Sequence, residues 1–362
     1  MADARSERLA ALGAALDVSH LDGLLVTSLP NIRYLTGFSG SSALLFVTSR
    51  EALLVTDFRY QTQVAEEVGD LARVVIEPQS LWTGLWQQLP AMGPLAVLGF
   101  EAPHLLHRDF QRLLESGSRW QWRPTGDLVE ALREVKDADE LAAIEEAAGI
   151  ATRALARTLP AVRAGMTEFA VAGILEHALR DEGSEDFPFP SIIASGPRSA
   201  LPHARSSARE VQAGDFLLLD FGAVHRGYCS DITRTVVVGQ ATAEQREAYG
   251  VVREANARAA AAVRPGMSGR DADAVARDYI ERAGFGELFG HSLGHGLGLE
   301  VHEAPRLART AEAVLPRGAV VTIEPGIYRP GWGGIRIEDD VHLGADGARV
   351  LTHFTRELLE LA

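Results

Sequence analysis

Between Asp220 and Asp231 the chain reads D-F-G-A-V-H-R-G-Y-C-S-D, and the aspartates at its two ends are residues that could do chemistry. An apolar run, Phe216 to Leu219, leads in and a β-branched run, Thr233 to Val238, leads out, which predicts a hairpin turning near His225 to Gly227. In an antiparallel hairpin centred between His225 and Arg226, facing residues have numbers that sum to 451, as those of Asp220 and Asp231 do. Their Cβ atoms would lie roughly 5 Å apart on one side, and a bulge at Gly227 would make the pair diagonal without separating it. Two like charges so placed on an apolar hairpin are destabilising unless a cation sits between them; as solvated turn residues they would need none.

Three later segments bear on that choice. H-S-L-G-H-G-L-G-L-E-V-H supplies His291, His295 and His302; V-T-I-E-P-G supplies Glu324; G-G-I-R-I-E-D supplies Arg336 and Glu338. Each sets an acid or imidazole within or beside an apolar strand pattern, where a charge is not buried without a partner. Four carboxylates with one or two imidazoles and no thiolate suit Mn²⁺, Co²⁺ or Zn²⁺, and the carboxylate surplus suits two ions sharing bridging ligands. The i, i+4 spacing of His291 and His295 is not a zincin motif: no glutamate follows His291, and Gly294, Gly296 and Gly298 argue against a helix. The glycines are expected to let backbone and substrate approach a metal closely. Strand alternation puts Arg336 on the same face as Glu338, pointing into the same cleft.

Taken together, these segments resemble a known family. D-F-G with D-I-T-R-T, then G-H-G-L-G-L-E-V-H-E, T-I-E-P-G-I-Y and G-G-I-R-I-E-D, are similar in order and spacing to the signature segments of the pita-bread metallopeptidases, in particular the proline-specific branch holding aminopeptidase P and prolidase. The likeness runs from about Arg133 to the C-terminus and continues more weakly before it. It implies that Asp220 ligates one metal, that His295 and Glu324 ligate the other, and that Asp231 and Glu338 bridge the two. It makes His203 a histidine at the reacting centre, Phe189 a lining of the proline pocket, and His291 and His302 groups beside the ligands or facing substrate. Arg336 would fix the ligands or bind a substrate carboxylate. Arg306 matches an arginine that holds the substrate's C-terminal carboxylate in some prolidase-like members.

The elements that must hold these residues show in the pattern. A-V-R-A-G-M-T at Ala161 to Thr167 returns as A-V-R-P-G-M-S at Ala262 to Ser268, each copy preceded by an alanine-rich helical stretch. Each is followed by a helix opened by Thr167 or Ser268, hydroxyl residues favoured at N-caps. The helix before the first copy is expected from about Asp137 to Leu159. This pseudo-twofold repeat of helix, helix and strand predicts an α+β catalytic domain over 126–362, with strands in one curved sheet and a cleft on its inner face, the pita-bread arrangement that the resemblance also implies. Phe187 to His203 holds too many prolines for a helix and reads as a loop on the cleft wall. Residues 1–125 read as an α/β domain, creatinase-like by the resemblance, with strands at 23–26, 43–47, 52–55, 74–76 and 95–98 and helices near 60–68 and 110–114. Pro and Gly near Arg123 to Asp127 mark the boundary. N-I-R-Y-L-T-G-F at Asn31 to Phe38 resembles the same branch's N-terminal domain, and Trp82 and Trp86 have the i, i+4 spacing of packing residues.

At 362 residues, with 46% hydrophobic and 23% charged, the chain has the composition of a soluble protein of two domains. A formal charge of −14 leaves no basic surplus for nucleic acid. The single cysteine, Cys229, excludes an internal disulfide and fits a reducing compartment. The N-terminal M-A-D-A-R-S-E-R-L-A lacks the apolar core of a signal peptide and no apolar run is long enough to span a membrane, so a cytoplasmic protein with no membrane partner is expected.

The resemblance implies a homodimeric exopeptidase with two divalent ions per subunit, Mn, Co or Zn, that hydrolyses the N-terminal Xaa-Pro bond of small peptides. Glu324 would carry a proton to the leaving nitrogen, and His203 and His302 would hydrogen bond to the tetrahedral intermediate. No insertion between Asp231 and Glu338 is long enough to cap the far end of the cleft, which favours aminopeptidase P behaviour on tripeptides and longer chains; a strict Xaa-Pro dipeptidase, prolidase, is the alternative. A non-catalytic binding protein of this fold, or a metal-free hydrolase of the creatinase kind, would be expected to have lost ligands, and all five are present. A methionine aminopeptidase would normally lack the N-terminal domain.

Overall fold

The computed structural model describes residues 4–362; the first three residues of the charged N-terminal stretch lie outside the described residues. The chain divides into two compact units after Arg133. In the first, β1 (Gly23–Val26), β2 (Ala43–Val47), β3 (Ala52–Thr56), β4 (Arg73–Ile76), β5 (Val97–Glu101) and β6 (Gln121–Thr125) form a sheet in the order β4-β3-β2-β1-β5-β6. β2 runs antiparallel to both neighbours and the other pairs are parallel. β2 and β3 are buried at every position, as strands covered on both faces are. The helices of this unit are α1 (Ala4–Val18), α2 (Leu29–Thr36), α3 (Gln61–Glu67), α4 (Leu81–Gln88), α5 (His107–Glu115) and α6 (Glu130–Arg133). N-I-R-Y-L-T-G-F forms α2 and its left-handed cap Gly37, with Tyr34 and Phe38 buried. Trp86 packs on Trp82, Trp120 and Trp122, the packing role its spacing suggested. Arg123 and Pro124 lie in β6, an edge strand, where a proline need not interrupt a ladder.

In the second unit α7 (Ala138–Thr158) opens with a capping box from Asp137 and Glu140. α8 (Glu168–Asp181), α9 (Ala243–Ala262) and α10 (Gly269–Arg282) follow. Thr167 Oγ1 accepts from the Ala170 N–H and Ser268 Oγ from the Asp271 N–H, so both copies of the repeated motif open a helix. α7 pairs with α8 and α9 with α10. One core gathers Ile150, Leu155, Val171 and Leu175, the other Val252, Ala276, Ile280 and Val321.

The strands of this unit are β7 (Ile192–Ser195), β8 (Phe216–Phe221), β9 (Val224–His225), β10 (Tyr228–Cys229), β11 (Ile232–Val238), β12 (Gly294–Gly296), β13 (Glu303–Leu307), β14 (Val320–Ile323), β15 (Gly326–Arg329), β16 (Gly333–Arg336), β17 (Asp339–Gly344), β18 (Gly347–Val350) and β19 (Glu360–Leu361). Their pairing gives two main sheets, β19-β11-β8-β7 and β13-β12-β14-β17-β18, one for each copy of the repeat, where a single curved sheet was expected. Between them the ladder gives way to an isolated backbone bond and a set of side-chain bonds. Thr233 C=O accepts from the Glu338 N–H (3.1 Å), and Thr235 Oγ1 accepts from the Arg336 N–H (3.1 Å) and donates to the Arg336 C=O (3.0 Å). The buried Arg234 guanidinium donates to the Glu338 C=O (2.6 Å) and the Asp339 carboxylate (2.8 Å).

Two local expectations need correction. The segment Phe187 to His203 is not all loop: S-I-I-A-S, free of proline between Pro190 and Pro197, supplies β7, and a 3₁₀ turn follows at Gly196–Ala200. In the hairpin, Thr233 faces Asp220 and Tyr228 faces His225. The turn is therefore centred between Arg226 and Gly227, with φ of 50° and 79°, one residue later than expected. Moving a turn by one residue moves each partner by two, which preserves the faces, so Asp231 is a diagonal rather than a direct neighbour of Asp220.

Candidate metal centre

The candidate ligands come to the seam from both halves. Asp220 lies near the end of β8 and Asp231 just before β11; His295 is the middle of β12, Glu324 follows β14, and Glu338 joins β16 to β17. Ligand atoms of Asp231, His295 and Glu338 all lie within 4.8 Å of one another. His295 Nε2 is 3.5 Å from Glu324 Oε1 and 3.9 Å from Asp231 Oδ2. The flanking glycines allow the close approach of backbone expected of them: a Cβ at Gly294 would stand 2.0 Å from the Thr322 carbonyl oxygen, and one at Gly296 2.0 Å from that of Ala304. Only bare backbone lets the neighbouring strands close on His295.

The set is rich in acceptors and poor in donors. Burial, then the charge of Glu338, pushes the Asp231 and Glu324 carboxyls well above their usual range; burial, then the charge of Asp220, pushes Glu338 to about 8. Burial also raises Asp220, opposed by the Arg336 guanidinium. Asp231 Oδ1 and Glu338 Oε1 are buried with no hydrogen-bond partner among the described residues. His295 Nδ1 is 3.0 Å from the Gly296 carbonyl oxygen, which can only accept, so the proton belongs on Nδ1 and the Nε2 lone pair faces the carboxylates. Burial holds this imidazole down at about 4, and therefore neutral near pH 7. Clustered carboxylates, orphan oxygens and a neutral imidazole lone pair form a site that a divalent cation fits and that the chain alone leaves unstable.

Around it, Arg336 is wholly engaged. Nε donates to Thr233 Oγ1 (3.0 Å), Nη1 to Tyr328 OH (2.8 Å) and Nη2 to Asp220 Oδ2. Thr233 Oγ1 donates in turn to Glu338 Oε2 (2.6 Å). His291 Nδ1 faces the Ser292 carbonyl, so Nε2 accepts from Tyr328 OH (2.9 Å); burial and the nearby Arg336 lower this imidazole to about 4. His302 stacks edge-on against His295 with ring centroids 4.4 Å apart, and His203 is near enough for its charge to lower both Asp220 and His302. Arg306 faces His295 across β12 and β13 and lines, with His291, Phe289 and Arg309, a cavity of about 1290 Å³. Phe189 is half-buried on the segment leading into β7, outside the hydrogen-bonded cluster. The sequence did not single out Thr233, Tyr328 or Asp340, whose Oδ2 accepts from the Asp231 N–H (3.0 Å). Tyr328 closes the T-I-E-P-G-I-Y segment, which was its available signal.

An α/β unit followed by a pita-bread unit, with buried carboxylates and an imidazole gathered where its two halves meet, defines a metallohydrolase architecture. The chain belongs to metallopeptidase family M24, whose pattern matches residues 142–345, and residues 8–135 match the creatinase/prolidase N-terminal domain. It is 37% identical to the Xaa-Pro dipeptidase of Pyrococcus furiosus, covering 98% of this chain and 99% of that one. Among solved structures it is similar to the Xaa-Pro dipeptidase from Bacillus anthracis, with TM-score 0.95, 40% identity, and 99% and 100% of the two chains covered. It is also similar to the X-Pro aminopeptidase from Thermotoga maritima, with TM-score 0.91, 36% identity, and 98% and 99% covered. No helix among the described residues is long and apolar enough to cross a membrane.

Proposed function

We propose that this chain hydrolyses the peptide bond preceding proline in small Xaa-Pro peptides, using two divalent ions held by Asp220, Asp231, His295, Glu324 and Glu338. The observation that carries the reading is the buried cluster of acceptors with two orphan carboxylate oxygens, set in a chain of family M24. When bound, such ions supply positive charge that polarises a carbonyl and acidifies water near neutral pH. The rest falls to the side chains. Glu324 Oε1 receives only a long bond from Thr322 Oγ1 (3.4 Å), which leaves the carboxylate able to take a proton from water and return it to the departing proline nitrogen. His203 and His302 donate hydrogen bonds to the scissile carbonyl oxygen as charge develops there. Arg336 holds Asp220 in place, while His291 and Tyr328 orient Arg336. Phe189 lines the proline pocket, and Arg306 offers a guanidinium to the carboxylate of a dipeptide.

Dipeptides come first as substrates. The relatives do not single out the aminopeptidase preference drawn from the sequence: the dipeptidases of Pyrococcus furiosus and Bacillus anthracis are at least as similar as the Thermotoga aminopeptidase. Cleavage of longer chains is the second reading, favoured by the size of the cavity that His291 and Arg306 line, about 1290 Å³. The test is metal analysis of the purified protein, followed by a matched series of Xaa-Pro and Xaa-Pro-Yaa peptides with Mn²⁺, Co²⁺ or Zn²⁺. Hydrolysis confined to the dipeptides makes it a strict dipeptidase. Failure to cleave either series in fully metal-loaded protein rejects the proposal.

A further inference from the structure

Glu168 opens α8 and reads in sequence as the ordinary acid of a helix's first turn. In the fold its side chain is completely buried and receives five donors. Oε1 accepts from the Ser195 N–H (2.8 Å) and Ser195 Oγ (2.9 Å), Oε2 from the Ser207 N–H (3.0 Å) and Ser207 Oγ (2.7 Å), and Arg198 Nε is shared between them (3.2 and 3.1 Å). These donors sit at both ends and in the body of one excursion of the chain, Ser195 to Ser207, and that excursion carries His203. The backbone repeats the clasp, with the Glu168 N–H donating to the Arg209 C=O and the Phe169 N–H to the Ser207 C=O. On its other side the excursion is tied to the strand bearing Arg336: the Gly334 N–H donates to Ser199 Oγ (2.7 Å) and Arg336 Nη1 reaches the Pro202 C=O (3.4 Å). The His203 side chain itself is exposed and makes no hydrogen bond among the described residues.

We propose that Glu168 is a positioning residue for His203, a buried carboxylate that sets where the imidazole stands before substrate arrives; this rests on the reading of His203 as a donor to the reacting carbonyl. An exposed histidine on an irregular segment would otherwise sample many positions, and charge-assisted bonds to one fixed group remove that freedom in advance. The anion is required, not merely the shape. Ser195 and Ser207 present backbone N–H groups to opposite oxygens, and a backbone N–H cannot accept, so a glutamine amide would set its NH₂ against one of them.

The test is steady-state kinetics of an Xaa-Pro substrate, with metal content measured, for the parent, Glu168→Gln, His203→Ala and the double variant. Each single variant is expected to lose kcat by about 10- to 100-fold with metal content unchanged and KM moving less. The double variant is expected to be no slower than His203→Ala. A double variant slower by the full Glu168→Gln factor overturns the proposal and leaves the role of His203 standing. Parental turnover in His203→Ala rejects that role, and the proposal with it. If Glu168→Gln does not fold, Ser207→Ala takes its place, since it removes one hydroxyl donor and spares the carboxylate. Its kcat is then expected to fall roughly threefold in the parent, the scale of one hydrogen bond, and not at all in the His203→Ala background. An equal fall in both backgrounds overturns the proposal.

Discussion

Replacing Thr233 by valine exchanges one hydroxyl for a methyl at the centre of the seam. The hydroxyl accepts from Arg336 Nε and donates to Glu338 Oε2, so its loss leaves Nε without an acceptor and Glu338 without a side-chain donor, Oε1 having none already. A hydrogen bond to an ionised group contributes about 1.5–3 kcal/mol, and two are lost. The added methyl returns roughly 1 kcal/mol by burial. The net effect is a loss of about 2–5 kcal/mol, which at about 2–4 °C per kcal/mol for a unit of the size of Glu134–Ala362 lowers the Tm of that unit by at least about 4 °C. That magnitude holds while Glu338 is ionised, in metal-loaded protein or above its raised value of about 8. Because Glu338 loses the group that orients it, metal affinity is expected to fall by about 10- to 100-fold. Thermal unfolding of metal-loaded protein and a metal titration of stripped protein measure the two effects. A variant with parental Tm and parental metal affinity refutes the idea that this hydroxyl couples Arg336 to Glu338.

Glu324→Gln keeps an oxygen that can ligate and removes the proton acceptor, so kcat is expected to fall by at least about 10²-fold; unchanged turnover at full metal content places the proton shuttle elsewhere. Arg306→Ala is expected to raise KM for an Xaa-Pro dipeptide while sparing Xaa-Pro-Yaa, since only the dipeptide presents its carboxylate there; equal effects on both substrates count against the assignment. Metal-free protein is expected to lose stability with rising pH. Glu338 in the fold titrates near 8 against an ordinary 4.5, so the folded state holds the extra proton, and the stability present below about 4.5 is lost as pH passes through about 8. Thermal unfolding in chelator across that window reads it, and a Tm that climbs instead is the contrary result.

What the sequence made legible was whatever is repeated, periodic or local. Thr167 and Ser268 cap their helices as the repeat implied. The hairpin's faces survived an error of one residue in its turn, because a period of two forgives a shift of two. Pattern failed where long-range contacts decide. Thr233 meets Glu338 and Arg234 meets Asp339, each pair 105 residues apart, and nothing in T-R-T announces either meeting. β7 hid among prolines because four residues carry too little periodicity to stand out. Glu168 looks like any first-turn acid until the fold closes Ser195 and Ser207 around it.

The division of the candidate ligands between the two halves bears on the order of folding. The helices of each repeat pack largely on strands of their own half, although Phe216 and Val237 of the first half also enter the second core, so each half can gather much of its apolar surface from contacts near in sequence. Asp220 and Asp231 belong to the first half; His295, Glu324 and Glu338 belong to the second. If these residues hold the ions, as proposed above, a chain made only as far as β11 has two aspartates on a hairpin to offer a cation, a weak and passing attraction. Under the proposed assignment, ion capture would wait for the docking of the halves. It would then be a late event in folding, open only to a chain whose halves have met in register.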